Sequence, residues 1–237
     1  MDPRTRLTTV GGDLVMTKKL TLWGAGTTRT IRAHWALHEL GLAYESKPIL
    51  PRSGETKTVE YTRLNARQKI PLLVDGTFAI GESAAIVAYL SQMYSSPDHA
   101  LIPQEKSLHA KWLEWCFFIV AELDSTSLYV MRRHGTVNGL AHIYGEAPNA
   151  VSKAAEYFRD QLRYVDAALS DGRTYLMGDQ FTTADIILTT CLTWAIDYGV
   201  GVCDSAIPYL DRARARPAYE LASVANMQRM LDTPTSS

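Results

Sequence analysis

A chain of 237 residues, 46% of them hydrophobic, can bury a sizeable core as one or two domains. Its formal net charge is −1, with both signs spread along the sequence, which removes the electrostatic case for a nucleic-acid partner. No apolar run reaches the length of a membrane span, so no membrane partner is expected either.

Residues 1–16 mix Pro, Gly, Thr and charged side chains without an apolar core, and are expected to form a disordered extension. Leu20–Trp23 then reads as a short strand, broken by Gly24-Ala25-Gly26. Thr27–Gly41 has apolar residues at helical spacing (Ile31, Ala33, Trp35, Leu37, Leu40) and a glycine stop. His34 and His38 lie four apart on this helix, a spacing a metal could use; with no acidic or thiol ligand nearby in sequence, an exposed face is the expectation and no metal is predicted. Leu42–Ile49 supplies a second strand, which would run parallel to the first across a β-α-β unit. Ser53–Asn65 is polar and weakly helical.

The stretch from Asn65 to Leu90 carries the most chemistry. Pro71 can open a strand but cannot sit in its middle, and it biases Ile70 towards extended backbone. A cis Ile70–Pro71 bond would turn the backbone groups of Ile70 outward, where a ligand strand could pair with them; a trans bond would make the proline a plain strand start. Asp75-Gly76 is a hairpin signal between Pro71–Val74 and Thr77–Ile80. Ser83 stands at the head of the apolar helical pattern Ala84, Ile86, Val87, Leu90. The amides at that helix start suit a carboxylate, and Glu82 beside them suits an ammonium. An extended peptide with an α-amino-acid end would use all of these groups.

A linker containing Pro97 and Pro103 follows, and everything beyond it reads as helix. The predicted helices are Lys106–Met131, Asn149–Leu169, an almost wholly apolar Thr182–Asp197, Ile207–Ala215 and Ala218–Met230. Phe181-Thr182-Thr183-Ala184-Asp185-Ile186 combines a capping-box variant with a hydrophobic staple, a folding signal rather than a catalytic one. The three cysteines, Cys116, Cys191 and Cys203, form no CxxC pair and fit reduced thiols in a reducing, cytoplasmic setting.

The ordered set of Ile-Pro and Glu-Ser in a β-α-β-α-β-β-α half, then Gly178-Asp179-Gln180-Phe181-Thr182-Thr183-Ala184-Asp185 in a helical half, resembles the cytosolic glutathione S-transferase superfamily. The likeness spans Lys18 to Met230 and is nearest to the bacterial, zeta/theta-related branch that uses a hydroxyl at its site. It implies an α/β plus all-α fold: an N-terminal thioredoxin-like domain over 17–95, a linker over 96–104, a C-terminal helical bundle over 105–232 and a tail over 233–237.

The resemblance also implies roles. Ile70, beside Pro71, would pair through its backbone with the cysteinyl part of glutathione, the co-substrate. Glu82 and Ser83 would hold the γ-glutamyl ammonium and carboxylate. Gln68 or Lys69, with Arg52 and Lys57, would reach the glycine carboxylate. Thr27 and Thr28 stand where serine-type members carry Ser-Ser, and either could donate to the sulfur, with Arg29 adding positive potential. A free thiol with a pKa of about 8.5 is only about 3% ionised at pH 7. Lowering that pKa by two units takes roughly 2.7 kcal/mol. One hydroxyl bond to a charge supplies about 1.5–3 kcal/mol and a helix N-terminus up to about 1 kcal/mol, so one threonine suffices. Trp112, Trp115, Phe118, Tyr129 and Arg133 would line an electrophile pocket between the domains. The expected function is a detoxifying glutathione transferase, with a small electrophile as partner substrate and a homodimer as its assembly. A glutathione-dependent isomerase, dehalogenase or ether-cleaving enzyme, or a non-catalytic glutathione-binding module, are the alternatives.

Overall fold

The computed structural model describes residues 5–10, 13–18, 20–96 and 100–231. They form two compact units, one of 1–94 with 218–237 and one of 95–217. The predicted tail 233–237 and the middle of the predicted linker, with Pro97, lie outside the described residues.

The first unit opens with β1 (Thr5–Val10) and β2 (Asp13–Lys18), paired antiparallel as a two-stranded sheet of their own. This differs from the disordered extension expected there. The Gly11-Gly12 dipeptide between these two runs is a hairpin signal in the sequence.

The main sheet has four strands: β3 (Leu20–Trp23), β4 (Tyr44–Lys47), β5 (Leu72–Asp75) and β6 (Phe78–Gly81), in the order β4-β3-β5-β6. β3 and β4 are parallel across the crossover helix α1 (Thr28–Glu39), while β5 and β6 are antiparallel to their neighbours. Alternation along the strands buries both faces. Leu20, Leu22 and Leu73 face one way. Trp23 and Leu72 face the other, where they pack with Ile49 and with Tyr61 of α2 (Val59–Leu64). The hairpin turn falls on Gly76 and Thr77 rather than on Asp75-Gly76. Asp75 is the last strand residue, and its buried carboxylate accepts hydrogen bonds from Tyr89 (2.7 Å) and Tyr94 (2.5 Å) of α3 (Ser83–Tyr94).

In the second unit, α4 (Lys106–Phe118) runs on through a π-helical segment, Ile119–Leu128, into α5 (Tyr129–His134). The one helix predicted over Lys106–Met131 is thus three. The hydroxyls of Thr126 and Ser127 bond carbonyls five residues back, at 2.7 and 2.8 Å, and support the wider turn. After the short α6 (Ala141–Tyr144) come α7 (Pro148–Leu169), the buried α8 (Thr183–Asp197) and α9 (Ala206–Arg214). Asp185 sits at the start of α8, fully buried. It accepts from Thr182 N and Oγ1, Leu176 N and the Tyr209 hydroxyl, all within 2.8–2.9 Å. Burial pushes its pKa up and these bonds pull it back.

The last helix, α10 (Pro217–Leu231), groups with the sheet-bearing unit instead of completing one helical body over 105–232. Tyr219 packs edge-on against Trp35 of α1 with ring centroids 4.8 Å apart. No helix among the described residues is long and apolar enough to cross a membrane.

Candidate functional site

Strand register brings four chain segments to one end of the main sheet. Lys47, Trp23, Leu72 and Gly81 form a single row across it. The chain just beyond that row is Pro48–Arg52 on β4, Gly24–Thr28 on β3, Ile70–Pro71 on β5 and Glu82–Ser83 on β6. Residues separated by up to sixty positions in sequence therefore share one edge.

The loop after β3 is held tightly. Gly24 N donates to Lys47 O (2.9 Å) and Ala25 N to Ile49 O (3.0 Å). Gly24 has φ +116°, and a Cβ there would meet Ile70 Cβ at 2.7 Å. His34 lies beneath this loop. Its Nε2 donates to Gly24 O (3.2 Å), so Nδ1 is the acceptor for the Tyr44 hydroxyl (2.7 Å). The helix face expected to be exposed is buried here, because Tyr44 arrives from β4 to satisfy the imidazole. Burial pushes the His34 pKa down to about 4. Among the described residues no group of His, Cys, Asp and Glu is arranged to hold a metal ion.

Thr27 is the N-cap of α1, with extended backbone (φ −136°, ψ 157°). Its Oγ1 accepts from Thr30 N at 3.0 Å, and its own N–H donates to Thr30 Oγ1 at 3.0 Å, a reciprocal capping box. Thr27 is thereby fixed at the positive end of the helix dipole. Thr28 and Arg29 are the first two helical residues, both partly exposed.

The Ile70–Pro71 bond is cis. Ile70 stands outside the ladder, which begins at Leu72. Lys69 O accepts from Tyr61 OH (2.5 Å) and Asn65 Nδ2 (2.8 Å), so the loop before Ile70 is ordered by residues that sequence reasoning did not single out. Gln68 has φ +53°, and its side-chain amide donates to Thr62 at 3.0 Å. Lys69 is exposed, as are Arg52, on the turn after Pro51, and Lys57, at the end of a single 3-10 turn.

Glu82 adopts φ +64°, in the left-handed region that a Cβ disfavours, and 62% of its side chain is exposed. Arg67 Nη1 donates to its Oε1. Ser83 is buried at the first turn of α3, and its Oγ accepts from Nη1 of the buried Arg32 at 3.2 Å. With a charged donor filling its lone pair, the Ser83 proton is available to an acceptor in front of the helix. Arg32 was invisible as a site residue in sequence, since nothing there links it to a serine 51 positions on.

The aromatic candidates on the helical unit divide. Trp112 is 1% exposed and donates its indole N–H to Thr183 Oγ1 (3.0 Å), and Trp115 is 2% exposed and stacks on Tyr164 at 4.5 Å. Both are core residues of that unit, which corrects their expected place in a pocket wall. An aromatic stripe at helical spacing faced inward to fill volume. Phe118, Tyr129 and Arg133 keep partial exposure, and Arg133 lies over the Tyr144 ring at 4.4 Å.

Residues 18–92 match the family model for the glutathione S-transferase N-terminal domain, and residues 148–226 that for the C-terminal domain. The chain is 32% identical over 199 residues to glutathione S-transferase 3 of Zea mays, covering 80% of this chain and 86% of that one. It is 23% identical over 184 residues to mouse glutathione S-transferase theta-3, covering 76% and 74%. Among solved structures it is similar to the theta class glutathione S-transferase of Xanthomonas axonopodis pv. citri with glutathione bound: TM-score 0.73, 25% identity, 87% of this chain and 98% of that one. Ure2p in complex with glutathione shares the fold with a TM-score of 0.75 at 19% identity over 87% of this chain and 93% of that one.

Proposed function

The chain belongs to the glutathione S-transferase family, and we propose that it works as a glutathione transferase whose thiolate is held by Thr27. One observation carries the reading: the sheet register that sets the capped start of α1, Ile70 and Glu82–Ser83 along a single edge.

In this reading Ser83 Oγ–H and the first amides of α3 take the γ-glutamyl carboxylate, with the Arg32 charge behind them. Glu82 takes the ammonium. Its present partner, Arg67, is a well-exposed surface pair of the kind worth at most about 1 kcal/mol, so an incoming ammonium displaces it readily. Ile70 pairs with the cysteinyl backbone. Lys69, Gln68, Arg52 and Lys57 are the candidates for the glycine carboxylate.

Thr27 is favoured over Thr28 because its oxygen accepts the Thr30 amide while its one proton can turn from Thr30 Oγ1, 3.0 Å away, to the sulfur. That bond, the helix dipole and the neighbouring Arg29 charge stabilise the sulfur as thiolate. The thiol proton leaves to solvent. The sulfur then attacks an electrophilic carbon of the second substrate, a C–S bond forms, and the leaving group departs with its electron pair. Phe118, Tyr129 and Arg133 are the remaining candidates for contacting that substrate.

The burial of Cys116, which pushes its thiol up to about 12, argues against that thiol as the nucleophile. A homodimer in a cytoplasmic setting is proposed with the function. Exposed apolar side chains on each unit support an assembly: Phe78 and Met93 on the first, Leu108 and Phe117 on the second. Calorimetric titration with glutathione, followed by a conjugation assay with an activated aryl halide, tests the proposal. Absence of heat at millimolar glutathione would overturn it.

A further inference from the structure

We propose that Asn226 of α10 is a positioning residue for the thiolate site, holding the start of α1 in the geometry that aims the Thr27 hydroxyl. The inference rests on the reading of Thr27 given above and names the group that fixes it.

Asn226 is 8% exposed and reaches the segment Gly26–Thr30 three times. Its Oδ1 accepts from the Thr30 hydroxyl at 2.6 Å, its Nδ2 donates to Thr27 O at 3.3 Å, and its main-chain O accepts from Gly26 N at 2.8 Å. The donor on one side-chain atom and the acceptor on the other settle the orientation of the amide.

Thr30 Oγ1 has a single proton and three acceptors around it: Asn226 Oδ1 at 2.6 Å, Thr27 O at 2.9 Å and Thr27 Oγ1 at 3.0 Å. The shortest contact assigns the proton to Asn226. The Thr30 oxygen then serves as acceptor for the Thr27 N–H, which is one arm of the cap, and for the Thr27 hydroxyl at 3.0 Å until a thiolate draws that proton outward. Without Asn226 the Thr30 hydroxyl is free to rotate onto Thr27 O or Oγ1, which competes with the set of the Thr27 hydroxyl, and Thr27 O loses the bond that ties the cap to α10. Gly26, with φ +73°, adds no stiffness of its own. A hydrogen bond to sulfur is sensitive to small displacements of its donor, so loosening this anchor weakens the bond without touching the contacts to the glutathione backbone.

The test is a titration of glutathione bound to the full-length protein, with the thiolate followed by ultraviolet absorbance against pH. It is run on the wild type, Thr27→Ala, Asn226→Ala, Thr30→Val and the double variant Asn226→Ala/Thr30→Val. We expect Asn226→Ala to raise the bound thiol pKa by about one unit, from about 6.5 to about 7.5, a roughly threefold loss of thiolate at pH 7, with kcat falling in step and KM for glutathione changing less than about threefold. Thr30→Val should shift the pKa in the same direction, and the double variant by less than the sum of the two, because the Thr30–Asn226 bond is lost in both. Should Asn226→Ala fail to fold, Thr30→Val carries the same test. A purely structural role would lower the melting temperature or the active fraction and leave the thiol pKa in place. The inference is overturned if Thr27→Ala moves the pKa while Asn226→Ala and Thr30→Val do not. If Thr27→Ala itself leaves the pKa unmoved, the underlying assignment of Thr27 falls, and this inference with it.

Discussion

Gly24 and Ile70 touch so closely that a Cβ on Gly24 would lie 2.7 Å from the Ile70 Cβ. The contact locks the loop that leads into the capped helix against the residue before Pro71, and it is possible only because Gly24 carries no side chain. A second requirement coincides with it: φ of +116° lies where L side chains are strained.

Gly24→Ala should therefore separate the two halves of the site. We expect a loss of roughly 2–4 kcal/mol of stability from backbone strain and overpacking, and a weakened affinity for glutathione in whatever fraction folds. Urea denaturation and calorimetry on the same preparation measure both. Gly54 has a comparable φ of +89° with nothing near its missing Cβ, so Gly54→Ala should show the strain cost alone.

Ser83→Ala removes the hydroxyl that Arg32 orients. The variant should bind glutathione about 10- to 100-fold more weakly, the worth of one hydrogen bond to a charge. It should melt less than a few degrees lower, because Arg32 has interactions besides this one. Calorimetric titration reads the affinity, and equal binding by wild type and variant would remove Ser83 from the site.

His34 predicts a specific acid limb. Its folded pKa of about 4 lies below the unfolded value of about 6.5. Between these values the unfolded chain binds more protons, so the histidine's contribution is whole above about pH 6.5 and is lost as pH falls towards 4, by up to about 1.4 kcal/mol per pH unit. His34→Gln keeps a polar group there without the titration. The stability difference between wild type and variant should shrink as the pH drops from 7.5 to 5 in denaturant titrations, and a difference independent of pH would contradict the assignment.

Much of this is legible in the sequence itself. Alternation and turn chemistry marked β3, β5 and β6, Gly41 marked the stop after α1, and Thr182 with Asp185 announced the cap of α8. These are local signals, carried by residues within a few positions of one another. What could not be read depended on distant partners. His34 reads as exposed because nothing in its own helix announces Tyr44, and Trp112 reads as a wall residue because Thr183 lies 71 positions away. Asp75 reads as a turn residue because the two tyrosines that bond its carboxylate stand 14 and 19 positions further on. Asn226, 196 residues from Thr30, left no trace at all. The ligand-facing groups were found from their chemistry; the groups that hold them in place came only with the fold.

The pKa of the glutathione thiol in the bound complex tests the account most directly. Measured by ultraviolet titration, it should lie about two units below the free value of about 8.5 in the wild type and return most of the way in Thr27→Ala, with Thr28→Ala close to wild type. A bound thiol that titrates like free glutathione in all three proteins would contradict the account and leave a binding module without a thiolate-stabilising hydroxyl.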